Sequence, residues 1–476
     1  MEVRSSEYLL KRKPLLEALV ARLKEEYAYA SVLAMDNRAR GYRVGASGVS
    51  AGPQARFTNR GFVVRVRDEK GYAEYSFNHI DEESIEKIVK KIREELVPLK
   101  DQLSDGLTFM ERGASEDSLL RFKKSTSYEV WPYDFGDEKI LEILSSVREK
   151  AKAYDERIID AMTSYSFQEI HKIFLSPGRD LEQNILWSAG GLNVIAPKGQ
   201  EMVSSYKSFS VLGGAELFDA MKDGAEETAK TAIELLSAEP MVPGEYECVC
   251  TPSVTGMIVH EAFGHGVEMD MFVKDRALAK NFIGEYVASP LVTMHDGAAV
   301  QQESGTYFFD DDGNLAKDTV IIDKGILKTG IIDELSAEAM AIPSTGNGRR
   351  ESFERKAYTR MTNTYFEGGT DKVEDMISSI KYGFLIDQPT SGMEDPKNWG
   401  IQCMVNFARE IKDGKLTGKI FSPIVLTGYV PDLLKSITMM SPEVKLSGSG
   451  MCGKGYKEWV KVSDGGPYMK ARIRLG

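Results

Sequence analysis

The spacing of apolar residues switches along this chain between a helical and a strand period. Leu16, Leu19, Val20 and Leu23 share one helical face, and Pro14 ahead of them predicts a helix that opens there. Residues 27–77 read as strands. Residues 61–67 are rich in β-branched side chains, and a Glu69-Lys70-Gly71 turn leads into residues 72–77, the pattern of a hairpin. Asp81 can cap a helix carrying Ile85, Ile88, Val89, Ile92 and Leu96. Another helix is expected from about Asp137, with Ile140, Ile143, Leu144 and Val147 inward. Residues 157–212 hold several strand-like runs, and a helix from Ala215 to about Ser237 closes this half.

Pro240, Pro243 and Gly244 then break the pattern and mark a boundary. A strand at 245–250 follows. From Thr306 onward the chain reads mostly as hairpins, with Asp312-Gly313, Lys324-Gly325 and Asp413-Gly414 each set between alternating runs. The predicted class is α+β. A mixed N-terminal half, residues 1–240, is expected to serve substrate and dimer contacts. A C-terminal half dominated by antiparallel sheet, residues 241–476, would carry the chemistry.

Composition narrows the function classes. Apolar residues make up 42% and charged residues 28%, an ordinary globular balance. The net charge of −12 repels nucleic acid and anionic membrane. No apolar run is long enough for a membrane span, and the charged start does not read as a signal peptide. Four cysteines in 476 residues are too few for a disulfide scaffold and read as free thiols in a reducing compartment, so a cytoplasmic protein is expected.

The chain has five histidines, and two of them flank a glutamate in His260-Glu261-Ala262-Phe263-Gly264-His265. Neutral imidazoles ligate zinc, and a neighbouring carboxylate can take a proton from water. The spacing is i, i+5 rather than the i, i+4 of H-E-x-x-H. On a regular helix that turns the rings about 140° apart, too far round to share an ion. A π-type turn, eased by Gly264, would bring them to one side. A catalytic zinc takes three protein ligands. Cys452 is the candidate third, in a Ser447–Gly455 loop with four glycines, where an exposed thiolate would sit beside Lys454. Cys248, Cys250 and Cys403 lie in strand-like runs and read as small hydrophobes. Glu268 and Asp270 are candidates to hold a ligand imidazole from behind. Arg360 and Asn363 are expected to line a substrate cleft, and His295 is a candidate oxyanion donor.

Three residue sets resemble the TldD/PmbA family, in its metal-bearing TldD-like branch. Residues 260–270 are similar to its H-E-A-x-G-H-G-x-E-x-D, residues 450–454 to its G-x-C-G-K, and residues 360–363 to its R-M-x-N. The resemblance implies a zinc metallopeptidase acting on peptides or unfolded polypeptide segments. His260, His265 and Cys452 match its metal ligands, and Glu261 its general base. It also implies a homodimer, or a heterodimer with a metal-lacking PmbA/TldE-like paralogue. The alternative is a non-catalytic binding or regulatory subunit with a structural metal.

Gly448–Gly453 also matches G-x-G-x-x-G, but too little chain follows for a dinucleotide fold. Gly455 stands where a P-loop needs Ser or Thr, and Asp310–Asp312 lacks the spacing of a calcium loop.

Overall fold

In the computed structural model of this chain, the first helix, α1 (Glu7–Lys24), starts two turns before Pro14. The start is set by Ser6, whose hydroxyl accepts from Leu9 N at 3.2 Å and donates to Asp36 at 2.6 Å. Pro14 lies inside the helix and only forgoes one ladder bond. The structure describes residues 1–68, 71–95, 97–98, 120–300, 302–456 and 458–476. The expected Glu69-Lys70 turn residues and Leu96 lie outside these.

Long alternating runs build a nine-stranded N-terminal sheet. Its centre is β1 (Tyr29–Gly45), β2 (Asp160–Ser176) and β3 (Arg179–Lys198), joined antiparallel. The expected hairpin is present, with Arg67 opposite Tyr72. One face packs Leu16, Leu19 and Leu23 of α1 against Val32, Phe62 and Val64. A second cluster joins α2 (Pro132–Lys152) and α3 (Leu217–Glu234) to Tyr165 and Phe167. Among the described residues the strand β4 (Glu201–Val211) pairs only with β3 and forms an edge.

The rest of the chain forms two further large sheets. In the seven-stranded one, β5 (Gly244–Cys250) pairs with β7 (Tyr382–Asp395), which pairs with β8 (Gly400–Lys412). Residues 424–429 join β8 to β13 (Met469–Leu475), and β13 pairs back to β5. The sheet therefore closes on itself and removes two edges. Cys248, Cys250 and Cys403 are buried in its core, with thiols pushed up by burial, as small hydrophobes would be. The six-stranded sheet ends in β6 (Asn363–Phe366), β12 (Ser463–Gly466) and the edge strand β9 (Lys445–Ser447). Most pairings are antiparallel, but β5–β7 and β6–β12 are parallel.

Lys324-Gly325 and Asp413-Gly414 make the expected tight turns, with φ positive at both residues of each. Asp312-Gly313 does not join two long strands. It is bracketed only by a Phe309–Leu315 bridge, and all three aspartates are buried. Asp310 accepts from Asp312, Asn314 and Gly348 backbone N–H groups. Asp312 meets Arg65 at 2.6 Å, and Asp311 meets Lys172. With Phe309 and Phe353 packed on Leu33, Val63 and Phe174, this lock fastens the C-terminal sheets to the N-terminal one. No helix among the described residues is long and apolar enough to cross a membrane.

Candidate metal centre

Thr251 and Pro252 start a short core helix, α4 (Pro252–Val259). Val254, Ile258 and Val259 are buried on several faces of it. At His260 the backbone widens into a π-turn, His260–Gly264, and His265 N–H bonds back to His260 C=O. This is the i to i+5 bond that the histidine spacing demands. The two rings stand 5.1 Å apart, nearly perpendicular. A Cβ on Gly264 would run into Met361 Sδ, so any larger residue there requires that side chain to move.

Cys452 reaches the same point from the other end of the chain. It is 4% exposed and lies on β10 (Met451–Lys454), paired with β11 (Glu458–Lys461). It therefore sits in a buried hairpin and not in the exposed loop expected from the glycines. Arg360 holds that hairpin by donating to Cys452 O and Glu458 O. Cys452 Sγ is 3.4 Å from His265 Nε2. One donor atom each from His260, His265 and Cys452 lies within 4.8 Å of the others, the only such three-residue group among the described residues.

The electrostatics suit a cation. Burial pushes the Cys452 thiol up, but His265 and His260 override it and hold it well below the usual thiol range. Burial likewise opposes protonation of both rings, and the Cys452 charge raises both, His265 strongly. Lys454 is not the cause of the thiolate, contrary to the sequence expectation. Its ammonium is taken by Glu268 at 3.0 Å, Asp270 at 2.7 Å and Thr359 O. His260 Nδ1 is buried with no hydrogen-bond partner. A thiolate and two imidazoles brought within 4.8 Å of one another fit an ion that takes nitrogen and sulfur ligands.

Glu268 accepts from His265 Nδ1 at 3.1 Å. Burial raises its carboxyl, but Lys454 and His265 hold it down at about 2. Asp270 touches no imidazole. It anchors Lys454 instead, and burial keeps its carboxyl raised.

Glu261 follows His260 on the π-turn and packs against Gly392 of β7, where no Cβ would fit. It and His260 open onto a cleft of about 1110 Å³. Tyr206 to Ser208 of β4 form one wall, Asp387 to Gly392 of β7 another, and Lys445 to Ser447 of β9 a third. Arg360 and Asn363 are elsewhere: 1% and 0% exposed, they bond to internal backbone and line no cleft. Buried carbonyls needed these donors more than a substrate could. His295 is also away from the cleft, clamped between Asp318 at 2.9 Å and Glu367 at 2.8 Å.

Two acids near the centre carried no motif. Asp464 Oδ2 is 3.6 Å from His260 Nδ1, and burial pushes its carboxyl up to about 6. Glu394 presses on Gly266 with both oxygens buried and unpartnered, and burial pushes it up to about 9. The only sequence signal for Glu394 is strand alternation, which puts it on the same face as Gly392.

Residues 243–473 match the PmbA/TldA metallopeptidase C-terminal domain family. A metalloprotease of Methanocaldococcus jannaschii is 29% identical over 408 residues, 85% of this chain and 88% of that protein. A metalloprotease TldD homolog of Haemophilus influenzae is 31% identical over 346 residues, 70% of each chain. A zinc metalloprotease TldD homolog of Saccharolobus solfataricus is 26% identical, covering 66% of this chain and 72% of that one. Among solved structures, TldE of Thermococcus kodakarensis shares the fold, with a TM-score of 0.71 at 17% identity over 97% of this chain and all of that one.

Proposed function

The chain belongs to the PmbA/TldD metallopeptidase family, and from that premise we propose that it is a zinc-dependent peptidase cleaving peptides or unfolded polypeptide segments. The observation that carries the reading is the convergence of His260, His265 and Cys452 within 4.8 Å, beside Glu261 on the cleft wall. His260, His265 and Cys452 are the assigned zinc ligands. Among the described residues three donors converge, the number of protein ligands a catalytic zinc site uses, whereas a structural site is closed by four. The donor count therefore favours catalysis over a structural metal.

When bound, zinc supplies Lewis-acid polarisation of the scissile carbonyl and acidifies water. Glu261 takes a proton from the attacking water and later delivers it to the leaving amine. Glu268 keeps His265 Nδ1 protonated and Nε2 free to ligate. The edge strands β9 and β4 both line the cleft. Strand addition to such an edge would hold an extended substrate through its backbone and demand little of its side chains. In this reading residues 1–240 supply substrate and dimer contacts and residues 241–476 the peptidase. The partner is a second copy or a metal-lacking paralogue.

The test is Glu261→Gln. Zinc content measured by metal analysis should be unchanged, while chelator-sensitive cleavage of an unstructured peptide should fall by roughly 10²–10⁴-fold. Wild-type rates in this variant would remove Glu261 as the base. Cleavage by the native protein that survives full metal removal would remove the zinc mechanism.

A further inference from the structure

The two histidines are unequally supported. His265 Nδ1 has Glu268 at 3.1 Å, three residues on in the same turn. His260 Nδ1 is buried and has no hydrogen-bond partner. One ring nitrogen of His260 lies within 4.8 Å of the His265 and Cys452 donor atoms. Metal-ligating imidazoles nearly always give their second N–H to a carboxylate, a carbonyl or water. The carboxylate facing His260 Nδ1 is Asp464, with Oδ2 at 3.6 Å.

The backbone around Asp464 is built for that approach. Asp464 lies on β12, which is fixed on both sides: Thr364 of β6 and Ser447 of β9 are its register partners. Helix α4, which ends at His260, lies directly on this strand. Gly256 comes so close that a Cβ would stand 2.7 Å from Asp464 Oδ1 and from Gly465 N. A Cβ on Gly466 would stand 2.6 Å from Thr255 Cγ2. Glycines on both elements thus bring the helix down onto the strand, one turn before His260. Ser447, its register partner, also lines the cleft. The backbone that would hold substrate and the support of a metal ligand are therefore adjacent.

We propose that Asp464 is the positioning residue for His260, accepting its Nδ1–H and so fixing the tautomer that presents Nε2 beside Cys452 and His265. The centre then has one supporting carboxylate per imidazole, Glu268 for His265 and Asp464 for His260. The proposal rests on the zinc reading of the site.

The experiment compares wild type with Asp464→Asn, which keeps shape, and Asp464→Glu, which keeps charge. Zinc affinity is read by competition with a chromophoric chelator, and folding by circular dichroism of the zinc-free proteins. Asp464→Asn should bind zinc 10–100-fold more weakly, the loss seen when such supports are removed. Asp464→Glu should recover part of it. In the zinc-loaded protein, the His260 Nδ1–H proton resonance should be visible in wild type and shifted or lost in Asp464→Asn. At saturating zinc, kcat should fall while KM holds. Wild-type zinc affinity and an unmoved resonance in a folded Asp464→Asn protein overturn the role of Asp464 and leave the zinc reading intact. A wild-type protein that binds no zinc overturns both.

Discussion

His265 and Glu268 form a hydrogen bond of 3.1 Å from Nδ1 to Oε2, and that one contact links the candidate metal centre to a buried charge chain. Glu268 passes to Lys454, which also holds Asp270. All three side chains are nearly enclosed, at 3%, 13% and 6% exposed. Removing the cation leaves two carboxylates facing each other in low dielectric. Lys454→Met is therefore expected to destabilise the protein by roughly 3–5 kcal/mol, the range for breaking a buried ion pair. It should also weaken zinc binding, because Glu268 loses the largest of the charges that keep it ionised. Denaturant unfolding with and without zinc measures both effects. A midpoint within error of wild type would show that the chain is not under load.

Cys452 is the donor with the greatest sequence separation, and its thiolate is stabilised by the two histidines across the site. Cys452→Ser replaces it with a hydroxyl that stays protonated and ligates zinc poorly. The expected result is a protein that purifies folded with far less than one zinc per chain. A full complement of metal would take Cys452 out of the ligand set. Cys403→Ser is the control, since that thiol is buried in the closed sheet and should leave zinc content unchanged.

The i, i+5 spacing of the histidines demanded a widened turn, and the backbone makes one at His260–Gly264. Gly264 lies in it with an ordinary helical backbone and sits against the Met361 side chain. Gly264→Ala places a methyl group against Met361 Sδ in a fully packed core and should cost roughly 1–3 kcal/mol. Zinc affinity should fall with it, since relief of the clash moves His265. The double variant with Met361→Ala should recover part of the loss, a coupling that a double-mutant cycle reads directly. Strict additivity of the two substitutions would rule out this contact as the reason for glycine.

How much of this was legible in the sequence depends on the distance over which each decision is made. Local decisions were readable: the hairpin at Arg67–Tyr72, the Asp413-Gly414 turn, and the extra residue between His260 and His265 that called for a π-turn. Pro14 misled because the competing cap is Ser6, which accepts from Leu9 N and is held by Asp36 on β1. Arg360 and Asn363 were read as cleft residues because polar side chains default to water. Their partners are backbone carbonyls that the sequence does not display, among them Cys452 O and Gly297 O. Asp464 was invisible for a related reason. Asp464-Gly465-Gly466 carries no motif, and the fold uses its glycines to let α4 approach a strand. Contacts between separate elements decided each of these, 30 residues apart for Ser6 and Asp36 and 92 for Arg360 and Cys452.

Glu74 offers a pH-dependent test of how the two ends of the chain are fastened. Its Oε1 lies 2.8 Å from Arg350 and 2.9 Å from Arg65, so the N-terminal sheet grips a C-terminal loop through one carboxylate. Burial alone would raise this carboxyl, but the Arg350 and Arg65 charges hold it at about 2, below the ordinary 4.5. A depressed folded-state value contributes stability that is present above pH 4.5 and is lost as pH falls from there toward 2. By linkage the contribution is on the order of 3 kcal/mol at neutral pH. Glu74→Gln should accordingly unfold at lower denaturant than wild type at pH 7. The gap should narrow steadily below pH 4.5, because the carboxyl, still ionised in the folded protein, takes up a proton on unfolding, whereas the amide does not. Both proteins are compared zinc-free, so that loss of the metal in acid does not enter. A gap of constant size between pH 7 and pH 3 would mean that Glu74 contributes by packing and not by charge.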